Sequence, residues 1–262
     1  LAGTACAKHF KGEISDAAIK VSHPIIGRTY EAWNKAKKDL KKKDITVYYE
    51  RLAFAIELPG YKHELHGREM TLTVAGVKAY NLDNLGSKRT SGQTFKIGIG
   101  WNVDVCTNLC IFGTNYKSQL QVGSVEALEG EIDALLKQFD GKGNLEVLRK
   151  LGEKEMNEEQ FAKFLGRSRM YHVLPATKQK QLPRLELNDT QVSAVAKGYY
   201  SDKNFAAEDK VLNMWSFYNL LTGAAASSFL DKSLDKNANA MEITQGVIEG
   251  MDGKGDYQWY LN

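Results

Sequence analysis

The period of the apolar pattern changes once along the chain, at Ser124. Ahead of it lie Ile45–Leu58 (ITVYYERLAFAIEL), Met70–Tyr80 (MTLTVAGVKAY), Phe95–Trp101 and Tyr116–Val122 (YKSQLQV). These runs are rich in β-branched and aromatic residues, and in most of them apolar and polar residues alternate, as in strands with one buried face. After Ser124, the residues Leu128, Ile132, Leu135, Leu136 and Phe139 recur at helical spacing, with Ser124 as the N-cap and Gly141 as the stop. Further helices are expected after Asn157, after Asn188, over 209–222 and from Ser227 to about Glu249, with a Gly-punctuated docking tail. Short polar connections between the strands favour an antiparallel meander. The expected fold is therefore α+β, a mainly antiparallel sheet in the N-terminal half with a helical C-terminal half packed on one sheet face. It forms a single domain over 1–262, strand-rich at 45–122 and helix-rich at 124–249.

The chain has 262 residues, 43% of them apolar, enough for a substantial core. No apolar run approaches the roughly 20 residues of a bilayer span. Three cysteines are too few and too odd in number for a disulfide framework and fit a reducing compartment. The first residues, 1–22, carry little pattern and are expected as a loosely held lead-in. A start without Met reads as a processed terminus. Pro59-Gly60 reads as a turn, and His63 and His66 as part of the hairpin loop that Gly60 and Gly67 bracket.

Most catalytic chemistry finds no support. The paired histidines of HELH (63–66) are not the HExxH zinc motif, and Cys106-Thr-Asn-Leu-Cys110 has no second cysteine pair. Either cysteine would need a base such as His23 or His172 to serve as a nucleophile, and cysteines in a strand-like run are ordinarily inert core. Walker A, GxSxG and GxGxxG motifs are all missing from the sequence. Gly98 and Gly100 put bare backbone on one strand face, the mark of a bulge or a close neighbour. No metal, no cofactor and no catalytic residue is expected, and the chain is read as non-enzymatic.

Charge placement says more than the net charge of +3. From Gln160 to Leu185 there is no acid, but Lys163, Arg167, Arg169, Lys178, Lys180 and Arg184 are present; Met70–Val103 has only Asp83 against Lys78, Lys88, Arg89 and Lys96. Lysines and arginines that neutralise phosphates, interleaved with aromatics that stack on bases, are the ingredients of a single-strand binder. The expected phosphate-facing residues are Lys88, Arg89, Lys96, Lys163, Arg167, Lys178 and Lys180, with Tyr80 and Trp101 as stacking platforms. Arg28–Arg51 is also basic, eight cations against four acids. Trp33–Lys43 is expected there as a solvated basic helix, a polyanion-facing patch being the alternative.

The segments VCTNLC (Val105–Cys110), FLGRSRMYHVLP (Phe164–Pro175) and NMWSFYNLLTGAAASSFLDKS (Asn213–Ser233) resemble an uncharacterised Bacteroidetes family of unknown function. More distantly, VCTN and WSFYNLLT resemble segments of the phage/plasmid-like proteins of unknown function. The polar positions that match are Asn108, Arg167, Arg169, Asn219 and Thr222. The distant pattern continues with a His-containing acidic stretch that GAAASSF (Gly223–Phe229) does not have. The resemblance implies a mobile-element association and a cytoplasmic protein. The leading expectation is thus a mobile-element protein that binds single-stranded DNA or RNA, and the alternative is an interaction or regulatory module acting on a host or phage protein.

Overall fold

A computed structural model describes residues 1–79, 93–103 and 109–262. The α+β class holds. Strands β1 (Ala18–Arg28), β2 (Ile45–Leu65), β3 (Arg68–Ala79) and β4 (Gln93–Val103) pair antiparallel in chain order, and both β5 (Leu109–Cys110) and β6 (Tyr116–Val122) pair with β4. Two expectations about the start of the chain are corrected. Residues 1–22 form a helix, α1 (Ala2–His9), which buries Ala5 and Cys6, and then the first five residues of β1. Pro59-Gly60 is no turn: β2 runs through it, with a register shift between Leu58 and Lys62. The reversal instead sits at His66-Gly67, where both residues take the left-handed conformation that tight hairpins need.

The sheet is covered on both faces rather than one. On one face Ile56, Leu58, Leu72, Val74 and Ile99 join a core with Ile132 and Leu135 of α2 (Val125–Lys137). On the other, Ala75, Val77, Leu109 and Ile111 pack against Leu234 of the long helix that ends the fold. The small residues Ala53, Ala55 and Ala75 let that helix come close. Gly100 shows the limit of the approach, since a side chain there would run into the Cys110 carbonyl. Gly98 and Gly100 therefore mark a close-packed neighbour, one of the two readings of their spacing.

Three of the later helices begin with the same device. α4 (Glu158–Val173), α6 (Asp189–Ser201) and α7 (Met214–Ala225) start after Asn157, Asn188 and Asn213, whose side chains accept from the backbone N–H three residues on. In each case the residue before the Asn (Met156, Leu187, Leu212) and the fourth helical residue (Phe161, Val192, Phe217) are buried, the arrangement of a hydrophobic staple. Ahead of α4 and α7 the chain also pairs as two short strands, β7 (Glu155–Asn157) and β8 (Val211–Asn213). α7 is buried nearly all round, which makes it the central helix. It packs against α3 (Gly141–Leu151), α6 and α8 (Leu230–Met251). α5 (Ala176–Gln179) is a single turn in the connection from α4 to α6. The tail, expected as a docking strand or loop, docks as a short 3₁₀ turn over Asp256–Tyr260, with Tyr260 buried.

Residues 24–28 of β1 pair with 45–49 of β2, past Arg51, the last residue of β2 paired with a described residue of β3. Among the described residues, the β1–β2 ribbon thus continues past the sheet as a two-stranded arm. Trp33–Lys43, expected as a basic helix, is instead its tip, made of 3₁₀ turns at Tyr30–Ala32, Lys37–Asp39 and Lys42–Asp44.

Candidate nucleic-acid interface

The tip of the arm is held by one buried carboxylate. Asp44 accepts from Lys35 Nζ at 2.7 Å and from the Lys41 backbone N–H at 2.8 Å, and its own carbonyl accepts from Thr29 N–H. The hydrogen bond from Lys35, aided by that from Lys41, holds the Asp44 carboxyl below its ordinary range. Arg28 donates to the carbonyls of Lys35, at 2.5 Å, and Trp33. These contacts use up Arg28 and Lys35 as struts. Lys37, Lys38, Lys41, Lys42 and Lys43 stay exposed, and none is in an ion pair with a described residue. Beside them Tyr30 is 90% and Trp33 70% exposed. Five exposed ammonium groups, with Asp39 and Asp44 among them as the acids, and two exposed aromatic side chains thus occupy one short loop on a two-stranded stem. This is a structure that can neutralise phosphates and stack on bases.

The residues expected from the acid-free windows fare differently. Tyr80, Lys88, Arg89 and Asn108 lie outside the described residues. Lys96 is buried, its ammonium 2.5 Å from Asp235, which also accepts from the Tyr116 hydroxyl at 2.6 Å. Lys96 is therefore a strut between the sheet and α8 and cannot reach a phosphate. Trp101 is buried in the core, edge-on to His63 and tilted against Phe139, so it offers no stacking face. Lys163 is exposed but paired with Glu159 at 3.1 Å. Arg167 lies over the Trp259 ring and donates to the Asn262 carbonyl at 2.6 Å, which fastens the C-terminal segment. Arg169, on the surface, ties α4 to α6 through Asp189 and Ser193. Asn219 and Thr222 are buried in α7 and bond back to its own carbonyls. Only Lys178 and Lys180, around the end of α5, remain exposed and without an ion pair to a described residue.

A cavity of about 680 Å³ lies between α8, β4, β6 and the segment before α6. Four of the charged groups that line it are spent on each other, Lys96 on Asp235 and Arg184 on Glu186. Burial and the neighbouring Asp235 push the Tyr116 hydroxyl far up, so it stays a protonated donor. Nothing there makes a nucleophile and its base. Cys110 is buried, and burial raises the Cys6 thiol to about 11, far from a reactive thiolate. Cys106 lies outside the described residues. Among the described residues there is no cluster of three His, Cys, Asp or Glu able to hold a metal ion. His63 faces Trp101, and His66 contacts the Leu148 carbonyl.

Sequence reasoning had counted the basic excess of Arg28–Arg51 but attributed it to a helix face. Trp33, Ala36 and Leu40 recur at helical spacing, and that spacing hides the loop. The missed signal is the pair of aromatics, Tyr30 and Trp33, in a window whose remaining apolar residues are too few to bury them.

No helix among the described residues is long and apolar enough to cross a membrane. No curated protein and no solved structure matches the chain. Residues 1–261 match the family described as "Domain of unknown function, B. Theta Gene description (DUF3871)". The chain therefore belongs to the DUF3871 family.

Proposed function

We propose that this protein binds single-stranded nucleic acid through the tip of its β1–β2 arm, without catalysing a reaction on it. The observation that carries the reading is the exposure of Tyr30 and Trp33 among five exposed lysines, none in an ion pair with a described residue. In a duplex the bases are stacked on one another, so free aromatic faces favour a strand whose bases are open. The lysines supply the sequence-independent, salt-sensitive part of the affinity. The likeness of the VCTN and WSFYNLLT segments to phage/plasmid-like proteins supports placing this binding on a mobile element, in the cytoplasm.

The test is fluorescence anisotropy of a labelled single strand and of a duplex of equal length, at low and at physiological salt. The single strand should bind more tightly. Trp33→Ala should weaken it by about 1–3 kcal/mol, the worth of one base–aromatic stack. Reversing Lys37, Lys38 and Lys42 together to Glu should lower the slope of log K against log salt by about 2. Failure to bind at low salt, or variants that bind as the parent does, would overturn the reading.

A second reading, a protein-interaction module, is favoured by a separate observation. Of the sixteen large apolar side chains exposed among the described residues, ten fall between Ile19 and Leu52. That observation supports a contact surface on the β1–β2 ribbon rather than on the helical half.

A further inference from the structure

Base stacking accounts for Tyr30 and Trp33 but not for the aliphatic side chains of the stem. Strand alternation and the β1–β2 register put Ile26, Ile45, Val47 and Tyr49 on one face of the ribbon and Ile19, Val21, Ile25 and Leu52 on the other, all of them exposed. The two sides of the stem therefore both present apolar surface, more than a lone soluble chain ordinarily leaves open. Addition of another strand along the β1 edge is obstructed, because Pro24 in its middle has no N–H to donate. The apolar faces remain to be covered.

The same chain carries a surface of matching chemistry. An apolar cavity of about 400 Å³ is lined by Ile19, Leu52, Phe54, Ile56 and Phe95 of the sheet, so that it continues the Ile19–Leu52 face of the ribbon, and by Leu128 and Ile132 of α2. Of its two lysines, Lys96 is committed to Asp235, and Lys78 lies over the Phe95 ring. On α2, residues 126–133 hold four acids and no base. Asp133 is taken by Lys8 and His9. Glu126, Glu129 and Glu131 are exposed, and none is in an ion pair with a described residue. Glu129 stands one turn before the cavity-lining Ile132 and directly after Leu128, and Glu131 directly precedes Ile132. An apolar hollow beside glutamates is the complement of an apolar ribbon beside lysines.

We infer that the arm of one copy seats on the α2 side of a second copy, the Ile26, Ile45, Val47 and Tyr49 face of its stem against the apolar hollow and arm cations against Glu126, Glu129 and Glu131. Like-charged arms would repel each other if two of them packed together, whereas the arm's excess of four cations meets an acidic helix in this arrangement. That stem face lies on the opposite side of the ribbon from Ile19 and Leu52, which line the hollow, so donor and acceptor surfaces differ, and the contact is heterologous and builds a ring or an open chain rather than a two-fold dimer. The inference does not rest on nucleic-acid binding and is tested without any nucleic acid present.

The measurement is sedimentation velocity over a wide range of protein concentration, at low and at physiological salt. Three proteins are compared: the parent chain, an arm variant (Ile26→Asp with Val47→Asp) and a face variant (Glu126→Lys with Glu129→Lys). All four positions are exposed, and circular dichroism checks that each variant folds. The parent should rise beyond twice its 29.3 kDa monomer mass as concentration increases, and less so at high salt. Each variant alone should stay monomeric. Mixed together they should form a one-to-one dimer and nothing larger, because one supplies an intact face and the other an intact arm. A parent that stays monomeric throughout, variants that assemble like the parent, or a mixture that stays monomeric would each overturn the inference.

Discussion

Tyr218 and Tyr30 are the same residue in opposite surroundings. Tyr218 sits with none of its surface exposed in α7, a helix that starts at a buried staple and a side-chain cap. Tyr30 is almost wholly exposed at the end of a ribbon that leaves its sheet behind. In the helical half, burial of apolar surface and satisfaction of helix ends support each other, and nearly every large side chain there is enclosed. The arm is organised by polar contacts alone, Asp44 with Lys35 and Lys41, and Arg28 with two carbonyls. Its apolar residues contribute little to folding. A chain of this size tolerates such exposure where the surface has a use, and the difference separates residues that hold the fold from residues available for binding.

The largest effect should come from the side chains at the two extremes. Phe217 is fully buried, edge-on to Phe164 at 5.0 Å and to Phe161 at 6.4 Å. Phe217→Ala should cost about 3–5 kcal/mol in denaturant unfolding, as lost transfer energy plus the cavity left behind. Trp33→Ala, a larger truncation, should stay within about 0.5 kcal/mol of the parent because nothing packs on it. Comparable losses for the two would show that the arm tip is packed after all, and would remove Trp33 as a free stacking face.

The helical half was the most legible part of the chain, and the reason is local. Ser124, Asn157 and Asn188 mark helix starts through contacts made within four residues, and the apolar spacing that follows reports a long element. Asn213 follows the same rule, but the acidic-basic residues before it extended the expected helix back to 209, where the chain in fact turns at Asp209-Lys210 with both residues left-handed. The sheet was legible from Ile45 onward and not before it. β1 alternates exposed residues on both faces, so it has no buried side for a pattern to report. The site failed for a similar reason. Acid-free stretches of sequence predict a basic surface only if no acid comes in from elsewhere, and Lys96 met Asp235, 139 residues away. Local charge excess became accessible charge where the chain stays apart from the rest of the fold, as at Lys37–Lys43, and in the connection around α5, at Lys178 and Lys180.

That long-range pair sharpens the comparison further. The Lys96 and Asp235 side chains are both largely enclosed between the sheet and α8, where an ammonium without its carboxylate would be left desolvated. Asp235→Ala should therefore destabilise the protein by about 3 kcal/mol. It should also weaken the fixing of Tyr116, whose hydroxyl donates to the same carboxylate. By contrast Lys42→Ala at the arm tip should leave the unfolding midpoint unchanged. An Asp235 variant as stable as the parent would mean that Lys96 swings out to solvent, and would return it to the set of phosphate-facing candidates.

The smallest effect concerns charges that are paired yet exposed. On α3, Arg149 bonds to Glu146 three residues back and to Glu153 four residues on. The hydrogen bond from Arg149, ahead of its charge and that of Lys150, lowers the Glu146 carboxyl from 4.5 to about 2. A carboxyl depressed in the folded state stabilises fully above its unfolded value and loses that contribution as pH falls through its folded value. The stability difference between the parent and Glu146→Gln should accordingly be constant at neutral pH, shrink below about 4.5 and vanish near 2. Thermal unfolding of both proteins along that pH series measures it, and a difference that does not change with pH would show that the Arg149 contacts do not persist in solution. Because the group is exposed, added salt should shrink the same difference. The arm lysines have no such partners to lose, so acid should leave the arm's cationic charge intact while it removes the glutamate charge of α2. Arm-to-α2 assembly would then dissolve in acid over the range in which those glutamates take up protons, with the arm tip still able to hold a phosphate.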